Sequence, residues 1–444
     1  MDKYRNQPDA VQALVREDQV HRDVYLSPEV FALEMAHLWR NTWIYVGHDS
    51  QVPKSGDFYT TTVATQSVIL LRGDDEVVRV LMNRCAHKGT QLVSAPSGQC
   101  AGHFLRCPYH GWTYRLDGSV RSIPQKSGYD GSAFADSTAA RGIVVLKNMQ
   151  NYRGFVFVRL AESGLSFEEY FGDSLSSIDN LVDRSPAGRL EVAGGTLRYL
   201  HDCNWKMFIE NLNDTMHPMV AHQAAAGTAK KLWAGQPETA PKPMAVEQFL
   251  PFVNGYAFFD AMGVKLWENG HSYSGVNFSI HSQYAPEGEY ETLMEQAYGA
   301  ERARAILGEV RHNTVYYPSL TIKGAIQAIR IARPIAHDKT LIESVTFRLV
   351  GAPAHLLERT VLYTRLINAP TSMVGHDDRH CYRAIQQGLA TDGNEWVSLH
   401  RNHDPAERAG MAGVYNGLSE VSMRGQYRAW ARFMQPAKPT EEAA

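Results

Sequence analysis

Long apolar runs and clusters of basic residues are both missing from this chain of 444 residues. No stretch approaches the roughly 20 apolar residues that a membrane-spanning helix requires, and the polar start at residues 1–5 leads into no apolar segment of a secretory signal. The net charge is −3 and the basic residues are dispersed, which disfavours nucleic acid and membrane surfaces as partners. We therefore expect a cytoplasmic protein.

Cysteine is scarce, with five residues in the whole chain. Cys85 and Cys107 belong to the motifs described below, which leaves Cys100, Cys203 and Cys381 without any paired spacing. An odd remainder of this kind predicts reduced, buried thiols rather than disulfides. This prediction also agrees with a cytoplasmic location.

The apolar pattern divides the chain into three segments. Residues 1–42 are predicted to be a helical segment, because residues 27–42 have helical spacing after a Ser27-Pro28 start that is typical of an N-cap and first helical position. Residues 43–160 read as a small antiparallel β domain, and residues 161–444 as a larger domain that mixes strands with helices. The predicted fold class is therefore α+β.

Individual elements follow from the same pattern. Short runs of β-type residues predict strands at 67–71, 77–81, 142–146, 154–158, 195–200, 255–259, 319–322, 328–333 and 340–347. Helical spacing predicts helices at 289–307 and 420–434. The second of these helices is basic and amphipathic, and we expect it to pack on its own domain.

Two short segments each supply one cysteine and one histidine, as Cys85-x-His87 and Cys107-x-x-His110. Structural zinc is an alternative for such a set, but zinc sites usually pair like ligands in one loop. A Rieske [2Fe–2S] cluster instead binds two cysteines on one iron and two histidines on the other. We therefore interpret these four residues as ligands of a Rieske cluster.

A second group of potential ligands lies further along the chain. Glu210, Asp214 and His217 are spaced i, i+4 and i+7, so a helix would place all three on one face. Pro218 should kink or end that helix, and the bend could bring His217 and His222 together. Two imidazoles and one carboxylate form the facial triad of non-haem Fe(II) oxygenases, and Asp214 is close enough in sequence to be the carboxylate.

Both groups resemble the large (α) subunit of the aromatic-ring-hydroxylating oxygenases. The matching segments are Cys85-Ala86-His87-Lys88-Gly89, Cys107-Pro108-Tyr109-His110-Gly111-Trp112, and the Asp-x-x-His-x4-His motif of Asp214, His217 and His222. The family often has arginine where Lys88 stands. Lysine keeps the positive charge but lacks the planar fork, so contacts of that surface with another protein or subunit are expected to differ.

The resemblance implies that His217 and His222 hold a mononuclear iron and that the third ligand comes from a helix late in the chain. The matching stretch is Thr391-Asp392-Gly393-Asn394-Glu395-Trp396, so Asp392 is the predicted carboxylate ligand. Other acidic residues nearby remain open as alternatives, namely Asp377, Asp378 and Glu395. The resemblance also implies a helix-grip catalytic domain, with a bent sheet that encloses the iron and the substrate.

The resemblance gives Asp214 a different role, as a bridge rather than a ligand. In the family, three α subunits assemble head to tail, and Asp214 would link His217 to His110 of the partner subunit. A small β subunit would complete an α3β3 assembly, with α3 as the alternative. A closed trimer of heterologous contacts is consistent with point-group symmetry.

The implied function is that of a terminal oxygenase, which uses O2 and electrons from NAD(P)H to hydroxylate an aromatic substrate. No G-x-G-x-x-G motif follows a predicted strand, so a separate reductase or ferredoxin must deliver the electrons. We expect cis-dihydroxylation. Monohydroxylation, oxidative O- or N-demethylation, and a Rieske electron-transfer protein without oxygenase activity remain alternatives.

Two arginines bear on the choice of substrate. Arg330 and Arg333 lie on a predicted strand that borders the cavity in the family. Either could hold the carboxylate of an aromatic acid through a bidentate pair. The alternative is that both are structural or surface residues.

Overall fold

The computed structural model describes residues 3–134, 142–237, 239–282, 288–404 and 412–435. The chain forms two compact units, of which the smaller is Trp39–Gly164 and the larger combines Met1–Leu38 with Leu165–Ala444. The sequence had suggested divisions after residues 42 and 160. A search of the described helices finds none with the length and apolar character needed to cross a membrane.

The strands in the described ranges are, in chain order, β1 (Gln19–His21), β2 (Ile44–His48), β3 (Asp57–Val63), β4 (Gln66–Arg72), β5 (Val78–Met82), β6 (Ser97–Gln99), β7 (Leu105–Arg106), β8 (Thr113–Tyr114), β9 (Val120–Ser122), β10 (Met149–Tyr152), β11 (Phe155–Val158), β12 (Leu190–His201), β13 (Val264–Leu266), β14 (Ser272–Ser274), β15 (Asn313–Tyr316), β16 (Leu320–Lys323), β17 (Ala328–Ala336), β18 (Lys339–Leu349), β19 (Trp396–Ser398) and β20 (Gly413–Tyr415).

The α-helices in the same ranges are α1 (Pro8–Gln12), α2 (Asp23–Leu26), α3 (Pro28–Ala36), α4 (Leu38–Asn41), α5 (Phe167–Phe171), α6 (Ser176–Asp183), α7 (Trp205–Asn213), α8 (Pro218–Ala221), α9 (Gln223–Trp233), α10 (Met244–Phe249), α11 (Tyr256–Met262), α12 (Glu289–Tyr298), α13 (Ala300–Gly308), α14 (Ala354–Tyr363), α15 (Met373–Leu389) and α16 (Val421–Phe433).

The smaller unit consists of short antiparallel sheets, with strand orders β5-β4-β3-β6, β10-β11-β2 and β7-β8-β9. Its buried core includes Cys85 and Cys107, so the first pair of candidate ligands is built into the packing of this unit. The strand predicted at 142–146 is wrong, because only an isolated bridge between Val145 and Leu81 forms there. Val144 is 63% exposed, which is unlike a core strand.

The larger unit is organised around an eight-stranded sheet with the order β12-β18-β17-β16-β15-β14-β13-β20. Every neighbouring pair in this sheet is antiparallel. Helix α7 packs on β14, β15 and β17, while α15 packs on α8 and β12. Helices beside an antiparallel sheet confirm the α+β prediction, and they bring α7, α8 and α15 together.

A buried carboxylate fixes α7 in place. Glu34, on α3, is fully buried and accepts hydrogen bonds from the indole nitrogens of Trp205 at 2.8 Å and Trp430 at 2.7 Å. Lys206 Nζ lies 2.5 Å from the same carboxylate. These contacts join α3, α7 and α16. They also explain why α16 packs on its own unit, as its sequence predicted.

Helix starts and stops agree with the sequence in some places and not in others. Ser27 caps α3 by accepting from the backbone amide of Val30 at 3.2 Å, as predicted. The single helix predicted at 289–307 is instead split into α12 and α13 at Gly299, which has φ = +79°. Glycine adopts this conformation at little cost, so it ends one helix and starts the next.

The strand predicted at 255–259 is wrong, since Gly255 is the N-cap of α11 and the other residues belong to that helix. Aromatic residues favour strands in general, but Phe259 and Met262 lie three residues apart and are both buried in one cluster with Ala225 and Ala226. That helical spacing was present in the sequence. Tertiary packing of the cluster decides the conformation here.

Candidate metal centres

The two Cys/His loops have the same backbone turn. In each loop the cysteine carbonyl accepts from the amide of a glycine four residues later, at 3.0 Å from Gly89 to Cys85 and 3.2 Å from Gly111 to Cys107. Both glycines have a positive φ, +77° and +71°, which other residues adopt only with strain. A single turn type therefore presents both pairs of candidate ligands.

The four side chains of these loops separate by type. Cys85 and Cys107 are 2% and 3% exposed, whereas His110 is exposed and His87 is half-buried. The two imidazole rings lie 4.7 Å apart, and the ring of Trp112 stacks on His87 at 4.9 Å. Buried thiols on one side and imidazoles towards the surface match the two unlike irons of a Rieske cluster. The residues present therefore fit that group.

The local environment also favours thiolates. Burial raises the pKa of the Cys107 thiol, but hydrogen bonds from the backbone amides of Tyr109 and His110, with smaller contributions from Cys85 and Thr90, lower it below its ordinary value. Only the deprotonated sulfur binds metal. The backbone amides of the loop thus stabilise the thiolate form of Cys107, which is the form that binds metal.

We predict that Tyr114→Phe lowers the reduction potential of the cluster by about 40 mV. The Tyr114 hydroxyl lies 3.1 Å from Cys85 Sγ, and it accepts from the amide of Ala86 at 3.1 Å, so its own proton points to the sulfur. One hydrogen bond contributes about 1 kcal/mol, and about 1.4 kcal/mol corresponds to 59 mV for one electron. A redox titration followed by EPR measures the change.

The matched control for this variant is Tyr109→Phe, which removes an exposed hydroxyl in the same loop. We expect its potential to equal that of the wild type. If Tyr114→Phe and Tyr109→Phe have the same potential, the Tyr114 hydroxyl does not act on the sulfur.

The second group of ligands is organised differently from the expected single helix. Helix α7 ends before Asp214, whose backbone is extended at φ −93° and ψ 121°. The Asp214 carboxylate accepts from the amides of Met216 at 3.1 Å and His217 at 3.0 Å. Pro218 then occupies the first position of α8, a place where proline is favoured. The prediction of one helical face carrying Glu210, Asp214 and His217 is therefore wrong.

The turn between α7 and α8 brings two histidines to one carboxylate. His217 Nε2 and His222 Nε2 lie 3.6 and 3.3 Å from Asp378 Oδ1, on α15. The candidate ligand atoms all lie within 4.8 Å of one another. The side-chain amide of Asn211 lies nearby, with Nδ2 within hydrogen-bond distance of His217 Nε2 at 3.1 Å. Two imidazoles and one carboxylate are the donor set of a mononuclear Fe(II) site, so the residues fit this group as well.

The far side of each imidazole faces another carboxylate. His217 Nδ1 lies 3.3 Å from Asp214 Oδ2, and His222 Nδ1 lies 3.2 Å from Asp377 Oδ2. Histidines that bind metal normally donate their second ring N–H to such a group, which fixes the tautomer and makes the ligand atom more basic. Nε2 is thus the atom of each imidazole that would face a metal, on the side of Asp378.

Asp214 is held as an anion. Burial raises the pKa of its carboxyl, but His217 and Arg401 outweigh burial and lower the pKa to about 2. Arg401 Nη2 donates to Asp214 Oδ1 at 3.0 Å. Asp214 is therefore a charged partner of His217 over the whole physiological pH range.

The structure does not bring Asp392 to the histidines. Asp392 is exposed in the turn that follows α15, and Asp378 replaces it as the candidate carboxylate ligand. A signal for Asp378 was present, because Val374, Asp378 and Tyr382 are spaced by four residues and form the buried face of α15. A carboxylate in line with core residues on a helix needs a partner.

Two cavities border this candidate iron site. The larger, about 330 Å³, is lined by Tyr25, Met207, Glu210, Asn211, Asp214, His217, Ala221, Asp378, Cys381, Tyr382, Ile385, Leu389, Val397 and Met423. The smaller, about 60 Å³, is lined by Asn211, Leu212, Asp214, His217, Pro218, His222, Gln248, Phe252, Ile280, His312, Asn313, Lys323, Arg330, Tyr363, Ile367, Val374 and Asp378. Lys323 had not been singled out from the sequence, since a lysine at the end of a strand is usually exposed.

Glu210 gives a pH-dependent prediction. Burial raises its pKa to about 7, although the hydroxyls of Tyr427 and Tyr25 donate to it. Folding therefore takes up a proton between about pH 4.5 and 7, and stability is lost as the pH rises through that window. We expect Glu210→Gln to exceed the wild type in stability at pH 8, by on the order of 2 kcal/mol, and to approach it at pH 5.

Thermal unfolding of the variant and the wild type at both pH values measures this difference. Glu289→Gln, at the exposed start of α12, is the control, and its difference from the wild type should not change with pH. A stability difference for Glu210→Gln that is the same at pH 5 and pH 8 would contradict the prediction.

Comparison with known proteins agrees with both sites. A family model for the Rieske [2Fe-2S] domain matches residues 42–145, and a family model for the ring hydroxylating alpha subunit (catalytic domain) matches residues 190–436. The first range contains the Cys/His loops and the second contains the candidate iron site.

The described cysteines form no disulfide. Cys100 and Cys203 are buried and Cys381 is partly buried.

Similar proteins cover nearly the whole chain. It is 29% identical to the toluate 1,2-dioxygenase α subunit of Pseudomonas putida over 98% of this chain and 96% of that protein. It is 27% identical to the 2-halobenzoate 1,2-dioxygenase large subunit of Burkholderia cepacia, over 93% and 88%. The structure of naphthalene 1,2-dioxygenase from Rhodococcus sp. bound to indole matches with a TM-score of 0.74 at 22% identity, over 95% of each chain.

Proposed function

The chain belongs to the family of ring-hydroxylating α subunits, and from this premise we propose that it forms a cis-dihydrodiol from an aromatic ring at the site of His217, His222 and Asp378. As a member of the family it is an oxidoreductase, the terminal oxygenase component, and it uses a [2Fe–2S] cluster, a mononuclear iron and electrons from a partner protein. One observation carries the proposal. Two imidazoles and one carboxylate converge beside a cavity, which leaves the other positions of an iron open.

The proposed reaction adds both atoms of one O2 to neighbouring ring carbons, and it consumes two electrons and two protons. When bound, the mononuclear iron supplies the activation of O2. The chain supplies the rest. His217, His222 and Asp378 would hold the metal on one face, while Asp214 and Asp377 keep each imidazole in the tautomer that presents Nε2.

We propose Cys85, His87, Cys107 and His110 as the cluster ligands. The cysteines are buried and His110 is exposed. An electron donor such as a reductase or ferredoxin would approach on the exposed imidazole side. Burial of the sulfurs keeps water away from the cluster, and the Tyr114 hydroxyl tunes its potential.

The assembly is also a proposal. We infer that α subunits join head to tail, as α3β3 with a small β subunit or as α3, so that Asp214 connects His217 to His110 of the partner subunit. The position of Asp214 supports this inference, since its carboxylate accepts from the backbone amide of His217 and its Oδ2 lies 3.3 Å from Nδ1 of the same imidazole. We further propose that the protein works in the cytoplasm.

Product analysis with labelled oxygen tests the function. The purified chain is combined with a reductase, NADH and an aromatic compound under 18O2, and we expect both labelled atoms in one cis-diol. One labelled atom, or release of formaldehyde, would instead indicate monohydroxylation or demethylation. Metal analysis should find more iron than a single [2Fe–2S] cluster accounts for. Iron that matches the cluster alone would exclude an oxygenase site.

A further inference from the structure

Two cationic side chains line the smaller cavity beside the candidate iron ligands, on neighbouring strands. Lys323 ends β16, and Arg330 lies on β17, where its cross-strand partner is Thr321. Lys323 is only 6% exposed. Its ammonium has no hydrogen bond or close ion pair to any residue that the structure describes, and it lies 5.9 Å from the centroid of the Tyr363 ring.

Arg330 has no carboxylate within ion-pair distance in the described part of the chain, although its charge helps to lower the pKa of Asp378 and also acts on Tyr199. Its guanidinium lies 4.9 Å from the ring centroid of Phe208, and its Nε is buried with no hydrogen-bond partner in the described part of the chain. Arg333, on the same strand, differs. Its Nε lies 3.1 Å from Glu343 Oε2, so this charge is compensated inside the sheet. Arg333 is therefore a structural residue, as one of the sequence alternatives held, while Arg330 faces the cavity.

The two acidic residues of the cavity wall already have other partners. Asp378 is the candidate iron ligand, and Asp214 is bound to His217 and Arg401. Neither is within ion-pair distance of Lys323 or Arg330 among the described contacts. Burial, with a further effect of Arg330, lowers the pKa of the Lys323 ammonium well below its ordinary value, so its charged form needs a bound anion to be stabilised, and a divalent metal would add further positive charge. The cavity thus lacks an anion.

Further polar atoms of the cavity wall lack partners. Gln248 Nε2, His312 Nδ1 and Asn313 Oδ1 are buried with no hydrogen-bond partner among the described residues. Buried polar atoms in proteins are nearly always paired, by protein, water or ligand. Apolar side chains complete the wall, namely Phe252, Ile280, Ile367 and Val374. Of these atoms Gln248 Nε2 is a donor and Asn313 Oδ1 an acceptor, so the cavity combines an apolar surface for a ring with polar atoms that a substituted ring could satisfy.

We propose that Lys323 and Arg330 bind the carboxylate of an aromatic acid, and that they select this substrate class. The inference rests on the proposed function, because the ring must reach the iron held by His217, His222 and Asp378. Lysine provides a point charge, and arginine a planar fork that matches a carboxylate. The ring of the acid would lie against the apolar part of the wall, which must widen as the ligand enters, because about 60 Å³ is less than the volume of a benzene ring with its carboxylate.

Binding of matched charged and neutral ligands tests the proposal. The metal-loaded enzyme is titrated anaerobically with benzoate and naphthoate, and with the corresponding amides. We expect Lys323→Met to weaken binding of the acids about 10- to 100-fold, since a hydrogen bond to a charged group is lost, and to change binding of the amides less than twofold. Arg330→Met should act in the same direction, and Lys323→Arg should keep most of the affinity.

The control variant is Lys339→Met, at the exposed start of β18, which should bind all four ligands like the wild type. Thermal unfolding separates function from structure. Because the ammonium of Lys323 is buried without a partner, Lys323→Met should melt at the same temperature as the wild type or above it. A lower melting temperature would assign Lys323 a structural role and count against the proposal.

Other outcomes also decide. Equal affinity of the wild type for acids and amides would overturn the inference, as would Lys323→Met and Arg330→Met variants that bind benzoate like the control. An enzyme that converts neutral arenes to diols but does not bind the acids refutes the anion site and leaves the proposed function intact. A fully metal-loaded enzyme that gives no diol from any aromatic compound refutes the proposed function itself.

Discussion

Asp378→Ala should lose the mononuclear iron and its hydroxylation activity, while Asp392→Ala keeps both. Asp378 Oδ1 lies 3.3 to 3.6 Å from both histidine Nε2 atoms, so its removal takes away the anionic ligand. Residues that only orient metal ligands change affinity or activity by about 10- to 100-fold, and the loss of a direct ligand should exceed that range. Iron content per chain and oxygen uptake measure the two effects.

The cluster provides an internal reference for this experiment. Both variants should keep the visible and EPR spectra of the [2Fe–2S] group, because its candidate ligands belong to the other compact unit. Asp377→Ala is a second control. Asp377 contacts His222 on the side away from the metal, so we expect its loss to lower activity by about 10- to 100-fold. If Asp392→Ala loses the iron and Asp378→Ala retains it, the assignment drawn from the structure is wrong.

Ligands that are close in sequence were readable from the sequence. The two Cys/His loops each form one turn closed by a glycine, and their short spacing already indicated that the cysteine and histidine of each loop lie close together. His217 and His222 also lie on one short segment, and their convergence needed only a bend. The bend itself was misread. Pro218 was interpreted as the end of a long helix, whereas proline is equally suited to the first position of a new one.

The third ligand could not be found in the same way. Several acidic residues lie between 377 and 395, and only the packing of α15 on α8 decides which of them meets the histidines. Asp378 lies on the buried face and Asp392 in an exposed turn. Lys323 was missed for a related reason, because the polarity of a residue at the end of a strand does not reveal that a cavity lies beside it. Tertiary contacts determine both positions.

Asp214→Asn should retain both metals and lose turnover far beyond the 10- to 100-fold expected for an outer ligand partner. Asp214 accepts from the amides of Met216 and His217 with its two different oxygens, so asparagine, which has one acceptor oxygen, keeps one of these two bonds in the turn before α8. The change removes the negative charge that faces His217 Nδ1. If Asp214 also connects to His110 of the partner subunit, electron transfer between subunits is lost together with that charge.

The matched control is Asp377→Asn, since Asp377 makes the equivalent contact with the second histidine at 3.2 Å but has no proposed link to a cluster. In a single turnover, the prereduced enzyme is mixed with O2 and substrate, and reoxidation of the cluster is followed by its absorbance. We expect slow reoxidation in Asp214→Asn and near-normal reoxidation in Asp377→Asn. Equal rates in the two variants would leave Asp214 as an orienting partner of His217 alone, because Asp377 also lies beside the Nδ1 of a candidate iron ligand but has no proposed link to a cluster.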